Sequence, residues 1–174
     1  MELQTALVIV APHEVQALAV PLLKQHSPHL LIVFPAHITV VYPFVPPDHL
    51  EDACETLRTL CADVAPFAIT LDGYDCFPRT TFLNPVHPAP IHQLYAKIHA
   101  RFPDYLPYGG AFGPDIHPHM TVAQFESEAD QQQAVFPPYA PITFLAQRLH
   151  VLSGPSTLDR PWLTEAVIPF GALS

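Results

Sequence analysis

The sequence predicts an α+β fold of two similar lobes, each a largely antiparallel sheet with outer helices, around a central cleft. Three observations predict it. Short β-branched and apolar runs alternate with amphipathic helical stretches along all 174 residues. A His-x-Thr-Val pattern occurs twice, in "PAHITVVYPF" (35–44) and "HPHMTVAQF" (117–125), at matching places in the two halves. No linker-like stretch separates those halves, so one domain over residues 1–174 is expected.

The elements follow in order. "ALVIVAP" (6–12) is a short apolar run closed by Pro12 and reads as a buried strand. Residues 13–26 place Val15, Leu18, Ala19 and Leu22 at helical spacing, with Pro21 expected to kink or divide the helix. "HITVVYPF" is strand-like and is stopped by Pro43. Residues 48–63 form the clearest helix: Asp48 and Glu51 suit a capping box, and Leu50, Cys54, Leu57 and Cys61 make one apolar stripe.

Residues 66–78 alternate Phe67, Ile69 and Leu71 with more polar positions, as a half-buried strand does, and 80–86 is expected to pair with it. A helix over 90–102 carries Ile91, Leu94, Tyr95, Ile98 and Phe102 on one face, with Lys97 and Arg101 opposite. "HMTVAQF" is the next strand, 126–136 a short polar helix, and 141–155 with 162–171 a closing pair of strands. Each half therefore holds a His-x-Thr strand followed by a helix and a strand pair.

Composition narrows the function classes. A formal charge of −9 with only seven Lys+Arg excludes a protein that grips long nucleic acids by their backbone, which needs a basic stripe. It leaves room for a small phosphorylated ligand or a single strand end. Apolar residues make up 49% of the chain, yet no run approaches the length of a membrane span, so no membrane association is expected. "MELQTALVIVAP" lacks a basic region ahead of its apolar run, so no secretory signal is expected. Cys54, Cys61 and Cys76 form no CxxC and leave an odd cysteine over, which fits a reduced, cytoplasmic protein. Twenty-two prolines against six glycines predict stiff loops.

The repeated pattern carries the chemistry. Side chains alternate along a strand, so His37 and Thr39 share one face, as do His119 and Thr121. Ile38, Val40, Met120 and Val122 then point into the core behind. An approximate twofold relation would set two imidazole–hydroxyl pairs across a cleft. In-line phosphoryl displacement uses that set: a neutral histidine takes a proton from the attacking oxygen and a protonated one supplies the leaving oxygen. Threonine hydroxyls hold the non-bridging oxygens, and such catalysis is mostly positioning and electrostatics.

Both motifs resemble the paired His-x-Thr-apolar motifs of the 2H phosphoesterase superfamily, in the branch of the 2'-5' RNA ligase and RNA 2',3'-cyclic phosphodiesterase proteins. The resemblance covers essentially the whole chain, including "FPRTTFLNP" between the motifs and the helix after it. It implies a bilobal fold with both motifs in a central cleft, and metal-independent RNA-processing chemistry on cyclic phosphates or 2'-5' linkages. By that resemblance His37 and His119 are the acid/base pair, His37 acid and His119 base in hydrolysis, and Thr39 and Thr121 bind phosphate. Many relatives carry an arginine five residues after the second histidine; this chain has Gln124 there and Tyr42 at the matching first position. That departure bears on tight RNA binding more than on the chemistry. Arg79 is a candidate substitute, with a solvated turn as its ordinary reading.

The expected partner is thus a nucleotide or RNA end carrying a cyclic phosphate, the expected state a monomer, and no metal or cofactor is expected. His117 and His119 with His37 are the alternative, a metal site, but no third or fourth ligand type accompanies them. Tyr42, Phe44, Tyr108 and Phe112 lie near the motifs, where aromatics stack bases in single-strand sites; packing in core or loop is their default reading. The other class of function kept open is a module that binds nucleotides or RNA ends without turning them over.

Overall fold

The structure, a computed structural model, describes residues 2–171. Strand β1 (Leu3–Val10) leads into helix α1 (His13–His26), the short helix α2 (Pro28–Val33) and strand β2 (His37–Val41). Helix α3 (Leu50–Ala62) is followed by the hairpin β3 (Phe67–Phe77) and β4 (Thr80–Val86), then helix α4 (Ala89–Arg101). Strand β5 (Met120–Gln124), helix α5 (Glu128–Gln133) and strands β6 (Ile142–Ala146), β7 (Arg148–Pro155) and β8 (Leu163–Pro169) complete it.

These strands form two four-stranded antiparallel sheets, ordered β2-β1-β7-β8 and β5-β4-β3-β6. The α+β class and the pair of similar sheets are as the sequence predicts. Each motif strand occupies an edge of its sheet, and those two edges lie against each other. Helix α1 packs on β5, α4 reaches β2, and α3 packs on β8 and α4. The rear faces of both motif strands feed one core: Ile38, Val40, Met120 and Val122 are all essentially inaccessible and cluster with Leu7, Leu57, Leu83 and Ile98.

The lobes are not the halves of the sequence. The first sheet takes β1 and β2 from the start of the chain and β7 and β8 from its end, and the second takes β3 to β6. The strand pair after the first motif therefore crosses into the other sheet. The run 141–155 also differs from expectation, because it breaks at Gln147 into β6 and β7, which join different sheets. A propensity for extended backbone says nothing about which edge a strand meets, so the break has no local signal.

Local details differ for physical reasons. Pro21 lies inside α1 without dividing it. Burial of Val15, Leu22 and Leu23, at about 1.5–3 kcal/mol each, offsets the roughly 3 kcal/mol of an interior proline. The Asp48–Glu51 capping box is not made: Pro46 and Pro47 set a 3-10 turn over Pro47–His49, and α3 starts at Leu50 with no side-chain cap. Its stripe is as expected, with Cys54, Leu57 and Cys61 buried, whereas Cys76 is exposed. Helix α2 was not foreseen. Ser127 caps α5, accepting from the Asp130 amide at 3.1 Å.

Candidate active site

The two motifs reach the same place from different sheets. Thr39 and His37 stand opposite Val8 and Val10 of β1, and Thr121 stands opposite Phe82 of β4. Cross-strand partners share a face, so each imidazole–hydroxyl pair rests on an apolar floor. Beneath the first lie Ala6, Val8, Leu152 and Trp162, a small cluster separate from the main core, with Phe34 and Tyr42 packed on it. Beneath the second, Phe77 and Phe82 meet the His119 ring at centroid distances of 5.1 and 5.3 Å. Phe34 meets His37 edge-on at 5.7 Å.

Both histidines are oriented by the same device. His37 Nδ1 donates to the Pro35 carbonyl at 2.7 Å, and His119 Nδ1 donates to the His117 carbonyl at 2.8 Å. A carbonyl only accepts, so Nδ1 carries the proton and the neutral tautomer leaves its lone pair on Nε2. Each ring thus presents one atom able to take a proton or, when charged, to give one. Burial holds the His37 imidazole below its ordinary 6.5, against the raising effect of the Pro35 bond. Burial also lowers His119, against the raising bond to the His117 carbonyl; the like charges of His117 and then of His37 push it down further. The two motif histidines are therefore close enough to sense each other's charge.

Helix α1 braces both motif strands. Its Gln16 side chain accepts from the Ala36 amide at 3.0 Å and donates to the carbonyls of Ala36 and Ala11 at 2.8 and 3.1 Å. That fixes the backbone from which His37 projects. At the far end of the helix, Ser27 donates to the Gln124 carbonyl at 3.0 Å and accepts from its amide at 2.6 Å, clasping the end of β5. Neither residue was foreseen, because side-chain bonds to remote backbone leave no sequence pattern.

Tyr108 is the other unforeseen connection. It lies in the 3-10 turn Pro107–Gly110 between α4 and β5. Its ring lies near-parallel to His119 at 6.4 Å and 28°, and its amide donates to the Tyr42 carbonyl at 2.5 Å. Proximity to the motifs was the only signal for it.

The remaining candidates divide. Tyr42 packs against Tyr108 at 6.2 Å and Trp162 at 5.7 Å, and its hydroxyl donates to Gln4 at 2.5 Å. Phe44 is buried against Phe102 and Tyr105 and is core. Phe112, exposed, meets the edge of Tyr108 at 5.9 Å. Gln124 ends β5, about 10 Å along the strand beyond Thr121. Arg79 is exposed at the tip of the β3–β4 hairpin with φ +66, its amide donating to the Gln131 side chain at 2.8 Å. Its carbonyl accepts from the Phe125 amide, which sets it at Gln124's end of β5 rather than beside His119. Among the described residues no group of three or more His, Cys, Asp or Glu is placed to hold a metal ion. Nor, among them, is any helix long and apolar enough to cross a membrane.

Comparison with known proteins adds to this geometry. A family model described as the 2'-5' RNA ligase superfamily matches residues 9–156. E. coli LigT complexed with ATP superposes with a TM-score of 0.69 at 17% identity, covering 98% of this chain and 99% of that one. LigT complexed with 3'-AMP gives 0.68 at 15% identity over the same shares. The protein TT0787 of Thermus thermophilus gives 0.63 at 17% identity, over 98% of this chain and 100% of that one. At these identities the likeness is one of fold. No curated protein matches the chain.

Proposed function

Since the chain belongs to the 2'-5' RNA ligase superfamily of 2H phosphoesterases, we propose that it hydrolyses nucleoside 2',3'-cyclic phosphates, on small nucleotides or at RNA ends. The observation that carries the proposal is the matched pair of Nδ1–carbonyl bonds, which leaves two like-oriented imidazoles, each with Nε2 free, within electrostatic range of one another. Crystals of E. coli LigT with ATP, NADP+ and 3'-AMP support a nucleotide as the ligand class.

In this mechanism His119 Nε2 takes a proton from water as its oxygen forms a bond to phosphorus. One ribose oxygen–phosphorus bond breaks, and His37 Nε2–H supplies the proton to that oxygen. His37 ends neutral and His119 protonated, and exchange with solvent resets both. Thr39 and Thr121 donate to the non-bridging oxygens and hold phosphorus in line. We assign the base to His119, which has the His117 imidazole as an additional like-charged neighbour; burial lowers both motif histidines. The protein's own side chains supply every proton transfer, so the reaction needs no metal.

The superfamily's name favours a second reading, cleavage or joining of 2'-5' linkages by the same pair. The net charge of −9, with only seven Lys+Arg, favours the smaller substrate. Parallel assays with 2',3'-cyclic AMP, an RNA ending in a cyclic phosphate and a 2'-5'-linked dinucleotide separate the readings. The proposal expects the first to be opened to one monophosphate isomer. Turnover of the 2'-5' dinucleotide alone would replace it with the second reading.

A further inference from the structure

Among the described residues two aromatic side chains stand exposed, Tyr108 at 38% and Phe112 at 84%; the other large apolar side chains that face solvent are aliphatic. The two rings pack on each other, with centroids 5.9 Å apart at 78°. Tyr108 in turn lies near-parallel to the His119 ring at 6.4 Å. Two ring-to-ring steps thus lead from a motif imidazole out to solvent. The other rings that touch the motif histidines are already committed. Phe34 packs on the Trp162 cluster, and Phe77 and Phe82 form the floor beneath His117 and His119.

The connection between α4 and β5 holds the exposed pair firmly. Tyr108 takes φ +52° and ψ 36°, the left-handed region that a bulky L-residue disfavours. Such strain persists where the surroundings over-determine the residue. Here the Tyr108 amide donates to the Tyr42 carbonyl at 2.5 Å. The amides of Gly109, Ala111 and Gly113 donate to the carbonyls of Leu106, Tyr108 and Gly110 at 3.1, 3.2 and 3.1 Å. Successive turns fix this backbone, so little ordering is left to pay when a ligand docks. Beside the rings there is room: a Cβ built on Gly109 or Gly113 would meet nothing within 4 Å.

We propose that the corner made by Tyr108 and Phe112 seats the nucleobase of the substrate and favours a purine. In a nucleoside 2',3'-cyclic phosphate the base hangs from C1', next to C2', and so lies one ribose away from phosphorus. With phosphorus between the two imidazoles, the rings beside His119 stand at that remove. Two rings near a right angle offer one face to stack on and a second ring for the edge of the base. Stacking needs no basic side chain, which suits a chain with only seven Lys+Arg. It rewards ring area, so a purine gains more than a pyrimidine. The inference rests on the preceding reading of the His37–His119 cleft as a cyclic-phosphate site.

Phe112→Ala tests it, because it removes an exposed ring and leaves the core untouched. KM for 2',3'-cyclic AMP is expected to rise about tenfold, the strength of one base–aromatic stack, with kcat little changed. KM for 2',3'-cyclic CMP should rise less, and that for methyl riboside 2,3-cyclic phosphate, which has no base, should show no such rise. Phe112→Trp should restore the hold on the adenine substrate. Equal changes with and without a base, or no change for either, overturn the proposal. A wild type that opens no cyclic phosphate overturns the catalytic reading instead, and calorimetric affinities for 3'-AMP and ribose 3-phosphate then decide the role of the corner. Weakening of 3'-AMP alone by Phe112→Ala supports it, and unchanged affinity for 3'-AMP overturns it. A wild type that binds neither compound overturns both.

Discussion

His37 and His119 are held by the same bond, Nδ1 to the carbonyl two residues earlier, at 2.7 and 2.8 Å. The residue supplying that carbonyl differs: Pro35 in one motif and His117 in the other. Only His119 therefore carries an imidazole neighbour in its own motif. In the proposed mechanism that asymmetry is what distinguishes His119, the base, from His37, the acid.

The pH–rate profile should show it. Both imidazoles lie below 6.5, His119 under the additional charges of His117 and His37. The base must be neutral and the acid protonated, so kcat/KM rises through the pKa of His119 and falls through that of His37. The account expects a bell centred on the acid side of 6.5. Replacing His117 by Gln keeps its carbonyl, removes its charge and should move the ascending limb to higher pH.

Stability should fall on acidification for the same reason. His37, His119 and His150 are all lowered, His150 by burial and then by the Arg148 charge. Below about 6.5 the unfolded chain binds protons that the folded one refuses, so stability is full above that pH and lost as pH drops from it. Thermal midpoints at pH 7.5 and 5.5 should differ in that sense, and by less in a variant with all three changed to Gln. An equal drop in that variant would assign the effect elsewhere.

Much of this frame was legible in the sequence. Alternation in "HITVV" and "MTVAQ" tells which side chains face the site and which enter the core, because a strand's period of two leaves no other choice. The stripe of α3 was legible on the same footing, but its start was not, since Pro46 and Pro47 impose a tighter turn first. Strand exchange between sheets at Gln147, the brace from Gln16 and Ser27, and the reach of Tyr108 all join residues remote in sequence. No window of neighbours contains them.

Ser27→Ala tests the brace. It removes the partner of the Gln124 carbonyl and amide, two part-buried bonds, at a cost of about 0.5–1.5 kcal/mol each. Because β5 is an edge strand carrying Thr121, kcat should fall as well as the thermal midpoint. A midpoint unchanged by the substitution would show that water replaces the hydroxyl without loss.

Gly154→Ala tests the floor beneath His37. A Cβ there would collide with the Trp162 ring, itself buried against β7 and meeting Tyr42 edge-on. Overpacking of this kind costs about 1–3 kcal/mol. A second change, Trp162→Leu, should make the alanine nearly free. If the two losses simply add in denaturant unfolding, the contact is not what constrains residue 154.

The central claim is tested most directly by turnover of 2',3'-cyclic AMP in EDTA by the wild type, His37→Ala and His119→Ala, with folding checked by circular dichroism. The account predicts wild-type hydrolysis, unaffected by the chelator, and a fall in kcat of about 10²–10⁴-fold in each variant. The double variant should be little worse than the poorer single one, since the pair acts as a unit. Full activity in either variant, or a wild type that binds the cyclic nucleotide and leaves it intact, would contradict it.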